Sequence, residues 1–139
     1  VADAARSIEH HHAIVDNAEF VLQSLGLPYR IVNVCGGDLG APQIQKFDIE
    51  TWMPSRGGYG ETHSASRFHE YQARRLNLRY RDAEGKVRFC HTLNNTVAAS
   101  ARMLIALLEN KQRADGTIAV PEPLVSYMCG RTVLGKPRA

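Results

Sequence analysis

Glu61 and Ser64, three residues apart, offer a carboxylate and a hydroxyl. These are hard oxygen donors of the kind Mg²⁺ accepts when waters and substrate phosphates complete its shell. Side chains alternate along a strand, so in an unbroken strand the two would face opposite sides. Joint metal binding therefore requires the strand to bend or end near Thr62 or His63. Arg102 lies about one and a half turns into a helical pattern that opens after Asn94, at the border of the apolar stripe. There a guanidinium either reaches over a sheet, where it suits phosphate or a ring, or stays solvated on the helix flank. Asn94, Asn95 and Thr96 stand at the strand-to-helix junction, where their side-chain oxygens either cap the helix or hold a polar ligand near its positive end.

Other clusters carry less. His10, His11 and His12 are consecutive, so they spread around a helix and cannot converge on one ion; a solvated helix face is expected. Arg74, Arg75, Arg79, Arg81, Lys86 and Arg88 form the one basic concentration, a solvated hairpin face by default and a surface able to meet a phosphate backbone otherwise. Cys35, Cys90 and Cys129 are far apart and odd in number, which signals neither a disulfide framework nor a paired-cysteine zinc site and suits a reducing compartment. Neither G-x-G-x-x-G nor G-x-x-x-x-G-K-[ST] occurs.

The elements that must position these groups follow from periodicity. Apolar positions Ile14, Val15, Ala18, Val21, Leu22 and Leu25 predict a helix within Ala2 to Leu25, stopped by Gly26 and Pro28. Strands are predicted at Tyr29 to Cys35, Phe47 to Met53 and Tyr59 to Ser64. In the second of these, Asp48, Glu50 and Trp52 share one face, and the other face is largely apolar. Phe68 and Tyr71 fit a short helix. A hairpin is expected from Asn77 to Arg81 and Lys86 to Asn94 around Asp82-Ala83-Glu84-Gly85. A second long helix, with Val97, Ala101, Leu104, Ile105 and Leu108 as its stripe, runs to Asn110, and Pro121 and Pro123 begin an extended C-terminal arm. Strands joined by short connections and followed by an amphipathic helix predict an α+β fold, an antiparallel sheet backed by helices.

The whole-chain numbers agree with one domain over residues 1–139. Apolar residues make up 44% and charged residues 22%, and no apolar run approaches the roughly 18 residues of a membrane span. Seventeen Lys and Arg against fourteen Asp and Glu give +3, which permits a nucleic-acid partner without implying one. No charged-then-apolar leader opens the chain, and its first residue is Val1, as expected of a processed or excised fragment.

Three stretches carry a family resemblance: FDIETWMP from Phe47, ETHSASRFHEYQARRLNLRYRD from Glu61, and HTLNNTVAASARMLIALLENKQRADGTIAVPEPLVSYM from His91. Together they resemble the C-terminal part of the catalytic domain of bacterial-type seryl-tRNA synthetases, which are class II aminoacyl-tRNA synthetases. The likeness runs from about Asp16 to Met128, with motif 3 at about residues 92–110. It implies ATP-dependent activation of serine to seryl-adenylate, transfer of the seryl group to tRNA(Ser), a homodimer in the complete protein, no membrane, and a cytoplasmic location or an organellar one. By the same match Arg102 is the motif 3 arginine contacting ATP, Glu61 and Ser64 hold the Mg²⁺ that bridges ATP phosphates, and Asn94 and Thr96 help recognise serine.

The chain departs from the family pattern in places. Asn95, Val97 and Ala101 stand where many relatives have glycine, Ala65-Ser66-Arg67 replaces a common Cys-Ser-Asn, and Phe68-His69-Glu70-Tyr71 replaces Cys-Thr-Asp-Phe. Motifs 1 and 2 have no counterpart from Val1 onward, so the chain by itself is expected to form an incomplete site. Two other readings share the resemblance: a noncatalytic synthetase-like interaction module, and a ligase that loads an amino acid onto a carrier protein.

Overall fold

The computed structural model describes residues 1–136. Helix α1, Ser7–Ser24, lays Val15, Ala18 and Leu22 into the core with Ile14, Val21 and Leu25 beside them, as its spacing predicts. It starts later than Ala2 because the Ala2 backbone is taken by a two-way bridge to His91, with both N–H···O distances 2.9 Å. Gly26, at φ +60°, turns the chain out of the helix, and the Leu27 amide donates back to the Leu22 carbonyl at 3.0 Å.

A four-stranded antiparallel sheet follows, in the order β1-β2-β3-β6: β1 Tyr29–Asn33, β2 Gln45–Met53, β3 Gly58–Arg67 and β6 Leu93–Thr96. Between β3 and β6 lie α2, Tyr71–Leu76, and a small separate hairpin, β4 Arg79–Arg81 with β5 Val87–Phe89. The expected continuous strand from Lys86 to Asn94 is thus two strands in two sheets. It breaks where His91 leaves the hairpin to pair with Ala2.

Helix α3, Ser100–Lys111, packs with α1 on one face of the sheet, where Val15, Ala18, Leu22, Leu27, Ile49, Ala65 and Met103 form the core. The stripe predicted for α3 is displaced. Met103 and Ala106 are its buried positions, whereas Leu104 and Ile105 are about half exposed. The reason is a second neighbour: Leu104, Leu107 and Leu108 line an apolar cavity of about 210 Å³ against Ile118, Val120, Leu124 and Met128. The C-terminal arm is accordingly not merely extended. It holds a two-stranded ribbon, β7 Ile118–Ala119 with β8 Val133–Leu134, and a short helix α4, Glu122–Val125, in whose first turn Pro123 leaves no intrahelical bond unmade.

His11 corrects the expectation of a solvated histidine tract. It is fully buried, its Nε2 3.1 Å from the Ala65 carbonyl oxygen and its ring 5.1 Å from that of Phe47. All three cysteines are free. Among the described residues no helix is long and apolar enough to cross a membrane.

Candidate functional site

Glu61 and Ser64 share one face of the sheet, and a bulge is what brings them there. On β2, Glu50 and Asp48 lie two residues apart and therefore point the same way. Glu50 pairs with Glu61, Ile49 with His63 and Asp48 with Ser64, so Thr62 is the extra residue of β3. Thr62 and His63 both turn into the buried side, where the Thr62 hydroxyl lies 2.6 Å from that of Thr51 and 2.8 Å from His63 Nδ1. This meets the condition that spacing alone imposed on a shared Glu61 and Ser64 site.

The other named residues fall on the same surface. Ser64 pairs with Thr96 and Ser66 with Asn94, so Asn94 and Thr96 of β6 look out beside Ser64. They do not cap α3, which begins only at Ser100, with Ala99 as N-cap and no side-chain capping bond. Asn95 points the opposite way and donates from Nδ2 to the Ile14 carbonyl of α1. Its departure from glycine therefore fills a gap between strand and helix, away from the polar face. Ala65 likewise sits in the core.

Arg102 arrives from α3 around the end of β6. The last β3–β6 pair is Ser64–Thr96, so the Glu61 carbonyl has no β6 partner, and Arg102 Nη1 donates to it at 3.0 Å. The same nitrogen is 3.4 Å from Glu61 Oε2, with the two side chains 49% and 38% exposed. An ion pair so open contributes little to stability and remains available to a ligand. The C-terminal end of α3 is tied down by its acidic-amide pair: Glu109 accepts from the Ser55 amide at 3.0 Å and its hydroxyl at 2.7 Å, and Asn110 donates to the Trp52 carbonyl at 2.8 Å.

Several polar groups on this face escaped the motif reading. Lys46 Nζ lies 2.9 and 3.0 Å from the two oxygens of Asp48, and that hydrogen bond holds its pKa above the ordinary lysine value. Arg30 donates to Glu50 at 2.6 Å, and Ser66 accepts from Gln43 at 2.7 Å. The alternation of Asp48 and Glu50 signals the β2 part; the cross-strand register that sets them beside Ser64 has no local signature. Behind the face, burial and then the nearby Arg102 charge push His63 below the ordinary histidine pKa.

The donor set suits a hard cation. Among the described residues no group of three or more His, Cys, Asp or Glu side chains is arranged to hold a metal. One carboxylate and one hydroxyl on an open face would leave Mg²⁺ the free positions it fills with water and phosphate oxygens.

A sheet with one face covered by helices and the other carrying these groups is the architecture of a class II synthetase core. The chain belongs to the tRNA synthetase class II core domain family (G, H, P, S and T), which its residues 1–111 match. It is 52% identical over 136 residues to the serine–tRNA ligase of Deinococcus radiodurans, covering 98% of this chain and 32% of that protein. To the serine–tRNA ligase of Dictyoglomus thermophilum it is 51% identical over 122 residues, or 88% and 29% of the two chains. The seryl-tRNA synthetase of Pyrococcus horikoshii, solved with ATP, superposes with a TM-score of 0.92 at 45% identity, over 99% of this chain and 31% of that one. The cytoplasmic serine–tRNA ligase of Naegleria fowleri, solved with AMP, gives 0.83 at 40% identity, over 92% and 30%. The chain thus spans about a third of the length of the relatives it matches.

Proposed function

We propose that the protein carrying this chain activates serine with ATP and transfers the seryl group to tRNA(Ser). A serine carboxylate oxygen attacks the α-phosphorus, the bond to the bridging oxygen breaks, and pyrophosphate leaves with the electron pair. A ribose hydroxyl at the tRNA 3′ end then attacks the seryl carbonyl and AMP leaves. In this reading the complete protein is a homodimer and works in the cytoplasm.

Within that reaction Arg102 binds ATP, its guanidinium oriented by the Glu61 carbonyl while its remaining N–H groups meet phosphate or the adenine ring. Glu61 and Ser64 hold Mg²⁺, which when bound neutralises charge on the phosphates. Thr96 and Asn94, adjoining Ser64 and Ser66 across the strands, bind the polar groups of serine. The observation that carries this reading is the bulge at Thr62, which turns Glu61 and Ser64 to the face already occupied by Thr96 and Asn94.

The test is exchange of labelled pyrophosphate into ATP by the protein carrying this chain, followed by charging of tRNA(Ser). Exchange that requires serine, and charging that requires tRNA(Ser), are expected. Exchange driven by another amino acid, or by serine with only a carrier protein as acceptor, would overturn the assignment.

A further inference from the structure

We propose that the surface formed by α2 and the β4–β5 hairpin binds the phosphate backbone of RNA, through Arg75 and Arg79 with Arg74 beside them. Charge singles this surface out. Residues 71–89 contain six Lys and Arg against two Asp and Glu, a balance of +4, whereas the whole chain carries +3. The net positive charge of this chain is therefore concentrated in this one segment.

The arginines are also held in place. The Arg75 guanidinium carbon lies over the Tyr71 ring, 3.5 Å from its centroid, and its Nη1 donates to the Tyr71 carbonyl at 2.8 Å. Arg74 and Arg79 both stack on Phe89, at 4.6 and 4.7 Å. A guanidinium with one plane on a ring keeps its N–H edges free and loses less rotamer entropy on binding an anion. Pairing within the protein accounts for only part of the charge. Arg74 is joined to Glu70 and Arg88 to Asp82, but among the described residues Arg75 and Arg79 have no carboxylate partner. Arg81 is left out of the recognising set because it shares a cleft with Asp3, Asp82 and Glu84.

Position favours a nucleic acid over an acidic protein. The hairpin springs from the end of the sheet where Arg67 pairs with Leu93, and the next outward-facing pair is Ser66 and Asn94. The arginine surface thus lies in sequence next to the strand ends that carry the polar face proposed above for the adenylate. The identity of the RNA rests on the function proposed above; the phosphate-binding surface does not.

The experiment measures tRNA(Ser) binding by the protein carrying this chain across a salt series, for the parent, Arg75→Gln/Arg79→Gln and Arg75→Lys/Arg79→Lys. Loss of two phosphate contacts should flatten the slope of log K against log salt by about 2 and weaken binding roughly tenfold near physiological salt. The lysine variant should keep the slope, and serine-dependent pyrophosphate exchange should stay within about twofold of the parent in both. An unchanged slope in the glutamine variant would overturn the proposal, and if that variant had also lost polyglutamate binding that the parent shows, the face would be assigned to an acidic protein instead. If the parent lacked serine-dependent exchange, the proposed function would fall, and the salt slope would still decide whether this surface binds RNA.

Discussion

Ser64 stands directly across from Thr96, the last pair at which β3 and β6 remain joined. That pair marks the boundary of the site: on one side lie Ser66 and Asn94, on the other the Glu61 carbonyl freed to accept from Arg102. A residue proposed to hold Mg²⁺ and one proposed to bind serine thus share one rung, and the chain leaves the sheet soon afterwards to build the helix that carries Arg102.

Thr96→Ala separates ligand recognition from capping. Thr96 lies in β6, three residues short of its helix cap, so α3 should be as stable in the variant as in the parent. Loss of a hydrogen-bond partner for bound serine should raise the serine KM by about 1–3 kcal/mol equivalent, on the order of tenfold or more, with the ATP KM changing much less. A drop in Tm with equal effects on both substrates would return Thr96 to a structural role.

Arg102→Lys preserves charge but not the planar fork. An ammonium gathers its three donors on one nitrogen, so it lacks the separate, planar N–H edges by which Arg102 can hold the Glu61 carbonyl with one and meet phosphate with another. ATP-dependent activation should fall by at least about tenfold. Activity equal to the parent's would remove Arg102 from the site.

Much of this arrangement was legible in the residues. The α1 stripe, the three strand segments and the hairpin turn follow from type and spacing, because each is a local pattern, whereas the roles of the five candidate side chains come from the family resemblance. What was not legible depends on distant partners. The bulge at Thr62 is visible only in the β2–β3 register, the stripe of α3 shifts because a C-terminal arm claims Leu104 and Leu108, and His11 is buried because Phe47 and Ala65 happen to face it. A histidine triplet carries no signal of which ring the sheet will cover.

The buried histidines make stability depend on pH. His11 and His63 have pKa values lowered first by burial, so between the unfolded value of about 6.5 and the lower folded value the unfolded chain binds more protons. Stability should therefore be fully present above about pH 6.5 and decline as pH falls below it. Urea midpoints at neutral and mildly acidic pH, for the parent and His63→Gln, would show this. A flat profile in the parent, or an unaltered one in the variant, would contradict it.

Ile49 is fully buried among Leu22, Ala65 and Met103, directly behind the pair Asp48 and Glu50. Ile49→Ala should cost about 2–5 kcal/mol of stability, read from urea midpoints, because α1 and α3, which cover the same face of the sheet, cannot fully collapse into the space. A loss below about 0.5 kcal/mol would mean that the core tolerates the cavity by shifting α3.

The most direct test of the bulged face as a metal and nucleotide site is a Mg²⁺ titration of serine-dependent pyrophosphate exchange in the protein carrying this chain, comparing the parent with Glu61→Gln. The substitution keeps the size and removes the charge that sits 3.4 Å from Arg102 and on the same face as Ser64. The predicted result is slower exchange with the half-saturating Mg²⁺ moved upward by several-fold, while folding stability, to which so open an ion pair contributes little, stays near that of the parent. Exchange at the parental rate with the same Mg²⁺ dependence would contradict the account.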